Sequence, residues 1–245
     1  MEAPDLETSS ADYATRFSGN VGRYFLDVQK RSVIDLLKRV PGRTVLDVGG
    51  AHGQIAVPLR ANGYEVTILG SSPICNYNLT NQLGRDGVFR FVAGDLLNLP
   101  FHDRSFDVVV SFRLLPHVER WKQLIEELAR VARFAVIVDF PTISSVNMFS
   151  PLLFRLKKRI ERNTRPYTLF TTGSVRKAFH QTGYHNYATK GQFLFPMVLH
   201  RWTGLNRVLV ALERVSRGCG VTDRIGSPVI LLAARNGIPS GGDDR

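Results

Sequence analysis

Hydrophobic positions along the chain switch between two periods. Phe25 to Val40 carries Leu26, Val33, Ile34, Leu37 and Val40 on one helical stripe, which the Pro41-Gly42 pair ends. Thr44 to Val48 is a run of the buried-strand type. A glycine-rich turn follows, then a helical stretch from Gln54 to Asn62 closed by Gly63, and a second strand from Val66 to Leu69. This is a βαβ unit of about the length that a crossover requires. The alternation continues with a helix over Ser72–Leu83, strands over Val88–Val92 and Val108–Phe112, a helix over Trp121–Val131 and a strand over Phe134–Asp139. Two late strands are expected over Tyr187–Phe195 and Pro228–Arg235. Strands separated by helix-length segments predict a doubly wound α/β sheet, mostly parallel and covered on both faces.

Two stretches interrupt this rhythm. FSPLLFRLKKRIERNTRP sets Phe149, Leu152, Leu153, Leu156 and Ile160 at helical spacing, with Arg155, Lys157, Lys158, Arg159 and Arg162 on the other face. PMVLHRWTGLNRVLVALERVSRGCG sets Leu205, Val208, Leu209, Leu212 and Val215 on one stripe. Both read as helices added to the sheet, of the kind that shape substrate pockets. The expected organisation is one domain over 21–237 with pocket-forming insertions at 149–165 and 196–220. It is preceded by a disordered or lid-forming 1–20 and followed by a flexible 238–245.

Bulk numbers narrow the class. A chain of 245 residues, 44% hydrophobic and 22% charged, suits one soluble α/β domain. No apolar run approaches the roughly 20 residues of a membrane span. MEAPDLETSSAD lacks the basic start and apolar stretch of a signal peptide, which points to a cytoplasmic protein. Cys75 and Cys219 lie far apart, without metal-ligand spacing, and read as structural thiols. The net charge of +11 fits nucleic acid, an anionic membrane surface or an acidic substrate, and charge alone does not choose.

The chemistry starts at Leu46-Asp47-Val48-Gly49-Gly50-Ala51-His52-Gly53. Glycines at the mouth of a first strand let backbone approach a ligand, and the next helix begins there with free N–H groups. The spacing is not GxGxxG and no GK[ST] follows, which counts against dinucleotide and P-loop readings.

LDVGGAHG resembles the first motif of class I S-adenosylmethionine-dependent methyltransferases, an acid before a G-x-G-x-G turn, with Ala51 at the middle glycine. GDLLNLPFHDRSFDVVVS is similar to the third and fourth strands of the family's small-molecule branch, the type 11, quinone-biosynthesis-like group. RLLPHV resembles the segment after the fourth strand and TLFTTGSVRKAFHQTGY a late helix of that branch. The resemblance covers roughly residues 40 to 190. It implies a Rossmann-like sheet of seven strands, the last antiparallel, and S-adenosylmethionine as cofactor.

Residue by residue, the resemblance implies that Gly49, Ala51 and Gly53, with Gly50 in the same turn, line the methionine and ribose portion, and that Asp47 holds the loop and the amino group. His52 is a ribose contact or a spacer. Asp95 accepts from the adenine amino group and Leu96 donates from its backbone, or Asp95 only caps its turn. Phe112 and Arg113 sit near the methionine end, and Arg23 and Tyr24 come from a covering helix. One position departs from the family. The acid that ends its second strand and binds both ribose hydroxyls is Gly70 here, so Ser71, Ser72 or a backbone N–H is expected to replace it, and Gly70→Asp is expected to leave donor affinity similar or improve it. Ser72 is also placed as a helix cap.

Methyl transfer to a hydroxyl needs a general base in line with the donor. His117, after the fourth strand, is the leading candidate, with His200 and Asp139 behind it. His102, His180 and His185 read as surface residues. No (D/N)PP(Y/F) follows Phe112 and no Pro-Cys follows the fourth strand, so nucleic acid is disfavoured as substrate. The acid pair and asparagine of metal-dependent catechol-type enzymes are not evident, which favours a small-molecule acceptor, O- or C-directed, without metal. Segment 149–162 reads as a pocket lid or as a peripheral contact with the inner membrane face. An RNA-directed methyltransferase and a binding protein that kept only the fold are the alternatives.

Overall fold

The computed structural model describes residues 2–8, 17–50, 53–83, 89–143 and 168–235. The expected helix at 149–165 and the tail at 238–245 lie outside them. Strands β1 (Thr44–Val48), β2 (Glu65–Gly70), β3 (Arg90–Ala93), β4 (Phe106–Ser111), β5 (Ala132–Phe140), β6 (Asn186–Gly191) and β7 (Val229–Ala234) form one sheet. Its order is β3-β2-β1-β4-β5-β7-β6. The first five strands pair in parallel, and β7 runs antiparallel to both β5 and β6. The central strands are buried on both faces, which is why their sequences run apolar rather than alternating.

The helices are α1 (Asp5–Thr8), α2 (Gly19–Leu37), α3 (Ala56–Ala61), α4 (Pro73–Leu83), α5 (Trp121–Val131), α6 (Thr172–Gln181), α7 (Met197–Thr203), α8 (Arg207–Gly218) and α9 (Val221–Ile225). Val33, Leu36 and Leu37 of α2 and Leu59 of α3 cover one face of the sheet, over Val45, Val108, Val110 and Ile137. Leu124, Ile125 and Leu128 of α5, with Val175 and Phe179 of α6, cover the other, over Leu46, Val109 and Val136. Among the described residues no helix is long and apolar enough to cross a membrane.

Three elements differ from the periodicity. α2 starts six residues before Phe25, and within that added turn Gly22 packs directly on the backbone of Phe17, where an added Cβ would lie 2.1 Å from the carbonyl. Its buried stripe is Phe25, Val28, Val33, Leu36 and Leu37, with one polar member, Gln29. β6 stops at Gly191, where a Cβ would meet the Thr222 carbonyl at 1.8 Å. Beyond it the N–H groups of Leu194 and Phe195 donate to the Glu213 carboxylate, at 3.1 and 3.0 Å, in place of a ladder. α8 is turned over relative to its apolar stripe. Of the expected stripe Val208, Leu212 and Val215 are exposed and only Leu209 is buried, while Glu213 and Ser216 face inward.

Two acids of the GDLLNLPFHDRSFD segment, Asp103 and Asp107, are framework groups. Asp103 and Glu127 bind Arg130, whose guanidinium also donates to the carbonyls of Leu99 and Phe101. Asp107 accepts from the N–H groups of Arg43 and Thr44 and from the Thr44 hydroxyl. These ties fix the loop after β3 to α5 and the start of β4 to β1.

Candidate active site

The turn after β1 is built around a buried carboxylate. Gly49 and Gly53 hold φ of +78° and +61°, and the Gly53 N–H donates to the Gly50 carbonyl at 2.8 Å. A Cβ on Gly50 would lie 2.1 Å from Asp47 Oδ2. Burial pushes the Asp47 carboxyl up to about 7, against the pull of the Arg113 charge. Its Oδ2 has no hydrogen-bond partner among the described residues. A desolvated acceptor beside a cradle without side chains suits a ligand that brings a cation and close-fitting atoms. Ala51 and His52 lie outside the described residues.

At the end of β2 the glycine is required. A Cβ on Gly70 would come within 2.9 Å of both Cys75 Cβ and Phe91 Cζ, so an acid cannot stand there without displacing them. Gly70→Asp would therefore shift Cys75 or Phe91, whatever it does to donor affinity. Ser72 caps α4, its Oγ accepting from the Ile74 N–H at 3.4 Å. The Ser71 N–H donates to Asp5 Oδ2 at 2.7 Å. Asp5 thus sets a fully buried carboxylate beside the position where the strand lacks one. At the other end of this segment Glu2 accepts from the N–H of Glu119 at 2.8 Å and from Arg120 Nε at 3.0 Å. β2 and β4 flank β1, so residues 2–5 run along the carboxyl edge of the sheet from the β4 side to the β2 side. The sequence offers no signal for this, because four polar-flanked residues at a terminus have no period.

On the third-strand side Asp95 is half-buried and accepts from the Leu97 N–H at 2.9 Å, so one oxygen holds its own turn. The Leu96 side chain is core. Phe112 packs with Val45 and Val110 beneath the sheet edge.

Arg113 is the hub of the opposite side. Its N–H donates to Asp139 Oδ1, at the end of β5, and its guanidinium donates to Gln54 and, at 3.2 Å, to Gln29. Gln29 donates in turn to Asp139 Oδ2 at 3.4 Å, and the Arg113 guanidinium lies 4.2 Å from the centre of the Phe17 ring. Burial pushes Asp139 up to about 6, opposed by the Arg113 N–H and charge. A cavity of about 180 Å³ opens here, lined by Phe17, Gln29, Arg113, His117, Asp139 and Met197 among others. His117 closes the 3₁₀ turn Leu115–His117, which carries it from the end of β4 to the cavity wall.

Three expected site residues stand elsewhere. Arg23 is exposed and bonded to Asn20. Tyr24 packs on Phe193 and His200, and its hydroxyl accepts from Arg217 at 2.7 Å. His200 is fully buried, its ring among Tyr24, Phe25 and Phe193, and its Nε2 lies 3.2 Å from Glu213 Oε1. It anchors α7 and does not reach the cavity, which removes it as a catalytic base. Burial opposes the Glu213 charge, but the bonds from His200, Phe195 and Leu194 outweigh it and hold the carboxyl below its usual range. Sequence reasoning missed Gln29 and Gln54. Gln29 was readable as the polar member of a helical stripe, whereas Gln54 had no signal.

A doubly wound sheet with a glycine turn after its first strand and ligand-facing groups along one carboxyl edge defines a class of nucleotide-type ligand-binding α/β proteins. Residues 46–135 match the methyltransferase domain family. A demethylmenaquinone methyltransferase of Paenarthrobacter aurescens is 35% identical over 147 residues, 54% of this chain and 55% of that protein. The 24-methylenesterol C-methyltransferase 2 of Arabidopsis thaliana is 31% identical over 111 residues, 43% of this chain and 30% of that protein. The chain thus spans between 30% and 55% of the length of these two relatives. A SAM-dependent methyltransferase from Thermotoga maritima has a TM-score of 0.65 at 16% identity, covering 91% of this chain and 95% of that one. Magnesium protoporphyrin IX methyltransferase from Synechocystis PCC 6803, with bound SAH, has a TM-score of 0.59 at 17% identity, covering 93% and 96%. At these identities the structural likeness is one of fold. Residues 46–135 thus match a methyltransferase domain, on a fold shared with S-adenosylmethionine-dependent methyltransferases.

Proposed function

We propose that the protein transfers the methyl group of S-adenosylmethionine to an oxygen or carbon of a small, apolar or lipid-like acceptor, without a metal ion. The observation that carries this reading is the juxtaposition of two sites at one sheet edge. The Asp47 cradle suits the charged end of the donor, and the cavity beside it holds His117, Asp139, Arg113 and Gln29. Relatives named for a demethylmenaquinone and a methylenesterol support an apolar acceptor.

The bound donor supplies a methyl carbon on a sulfonium. Asp47 would hold the donor's ammonium through Oδ2, and Gly49, Gly50 and Gly53 would keep side chains out of its way. Asp95, with one oxygen holding its own turn, would accept from the adenine amino group with the other. Asp5 would supply the ribose carboxylate that Gly70 lacks. In the cavity, His117 would take the proton from the acceptor's O–H or C–H as the new bond to the methyl carbon forms and the carbon–sulfur bond breaks. Arg113, Gln29 and Asp139 would orient the acceptor.

Calorimetric titration with S-adenosylhomocysteine tests the donor site. Saturable binding is expected, and no heat at millimolar ligand overturns the reading. Asp5→Asn is expected to weaken that binding about ten- to a hundredfold, the range for a lost charged acceptor. It should scarcely affect a 2′,3′-dideoxyribose analogue. An equal loss for both ligands would make Asp5 a strap rather than a ribose contact.

A further inference from the structure

The insertion between β6 and β7 exposes what a helix normally buries. Seven of the thirteen large apolar side chains that the described residues expose lie within 198–225. Trp202 is 85% exposed, Val198 70%, Val208 67%, Val215 63% and Leu212 49%. Val208, Leu212 and Val215 share one face of α8 at spacings of four and three, and Val198 and Trp202 share one face of α7. The inward sides of the two helices are joined by the His200–Glu213 pair, so the apolar faces are the ones left outside.

The charges that α7 and α8 expose are of one sign. Arg207 and Arg214, seven residues apart, run along one edge of the α8 stripe, and Arg201 and Arg224 are exposed on the neighbouring helices. The insertion has two carboxylates, one buried and one part-exposed but engaged. Glu213 is buried against His200, and Asp223 is turned to the Gly191 N–H and to Lys190. An exposed tryptophan and aliphatic ridge rimmed by arginines, with the one part-exposed acid of α7–α9 engaged by Lys190, is complementary to an anionic lipid surface. A protein interface of this size would be expected to offset some of the cations with acids of its own.

We propose that α7 and α8 are a membrane-docking surface for anionic bilayers, and that α7 links this surface to the acceptor cavity. Met197 and Arg201 of α7 line that cavity, while Val198 and Trp202, one residue further along each time, point out. An apolar acceptor dissolved in the bilayer would therefore reach the cavity along α7 without crossing water. The route, unlike the docking surface, rests on the acceptor class proposed above.

The test is co-sedimentation of the full chain with vesicles of phosphatidylcholine alone or with phosphatidylglycerol at three parts in ten. Binding to the anionic vesicles only, weakened by salt, is expected. The triple variant Trp202→Ser, Val208→Ser, Leu212→Ser should lower the partition coefficient at least tenfold. Arg207→Gln with Arg214→Gln should lower it about thirtyfold, at roughly a five- to sixfold effect per cation. Because all five side chains are exposed, thermal midpoints should match the unsubstituted chain, and a matched midpoint shows that the loss is not unfolding. Undiminished binding by the triple variant, or no binding by the unsubstituted chain, overturns the proposal. So does a dimer in sedimentation velocity that the triple variant dissolves, since the face would then meet a second copy. Titration with S-adenosylhomocysteine on the same samples keeps the two readings apart, because donor binding without vesicle binding removes only the docking surface.

Discussion

Arg113 holds φ at +59°, a conformation that costs a residue with a side chain of the order of 1 kcal/mol or more. Its surroundings over-determine it. The backbone N–H is fixed by Asp139, and the guanidinium by Gln29, Gln54 and the Phe17 ring. Turning the residue to an ordinary φ would break all of these together. Gly50 is constrained from the opposite direction, by what it lacks. Gly50→Ala would drive a methyl group into the Asp47 carboxylate, so a loss of about 1–3 kcal/mol of stability and of measurable donor binding is expected. Gly173→Ala is the matched control. It sits near the start of α6 with nothing within 4 Å of the added carbon, and should be neutral or stabilise by up to about 1 kcal/mol. Denaturant unfolding of both variants checks the pair. Equal effects would show that Gly50 is not held by Asp47.

At the scale of elements, the insertion α7–α9 is attached by a buried polar pair set within an aromatic cluster. Glu213 accepts from two backbone N–H groups and pairs with His200, all in a buried setting. Removing one member of a buried pair typically costs about 3–5 kcal/mol, because its partner is left desolvated. Glu213→Ala is therefore expected to loosen the insertion. Limited proteolysis should cut between Gln192 and Gly226 faster than in the unsubstituted chain while β1–β5 stay resistant, and an unchanged pattern would refute this. The same carboxylate explains where sequence reading ran out. The stripe Val208, Leu212, Val215 has the period of a core-facing helix, and periodicity alone cannot tell a helix that buries its stripe from one that presents it. Only the partners of Glu213 decide, and they lie 13, 18 and 19 residues upstream. Elements whose burial follows from period, such as β1 and α5, were legible to the residue, because both faces of β1 and the inner face of α5 are apolar.

Across the whole molecule, what the sequence displayed was the sheet and the glycine turn. What it hid were the contacts that cross between segments, from Asp5 to Ser71 and from Gln29 to Asp139. One consequence of the folded arrangement is global. Asp47 and Asp139 end β1 and β5 in desolvated positions, with carboxyls at about 7 and about 6 against an ordinary 3.8. From about pH 4 to 7 the folded chain therefore holds protons that the unfolded chain has released. Stability from these two groups is complete below pH 4 and is lost as pH rises through 6 and 7. Asp107, Glu127 and Glu213 act with the opposite sign. Burial opposes their charge, but their hydrogen bonds outweigh it and depress their carboxyls, so their stabilisation is lost as pH falls below the ordinary carboxylate range. The two trends together place the maximum stability of the ligand-free chain on the acid side of neutrality, near pH 5. Thermal midpoints measured from pH 4.5 to 8.5 should fall between pH 5 and 7.5, and Asp47→Asn should flatten that fall by removing the group with the larger shift. Saturating S-adenosylmethionine should flatten it as well, because its ammonium would stabilise the Asp47 charge that burial disfavours. A midpoint that climbs steadily to pH 7.5, or an Asp47→Asn profile parallel to the original, would mean that Asp47 is ionised and solvated in the folded chain.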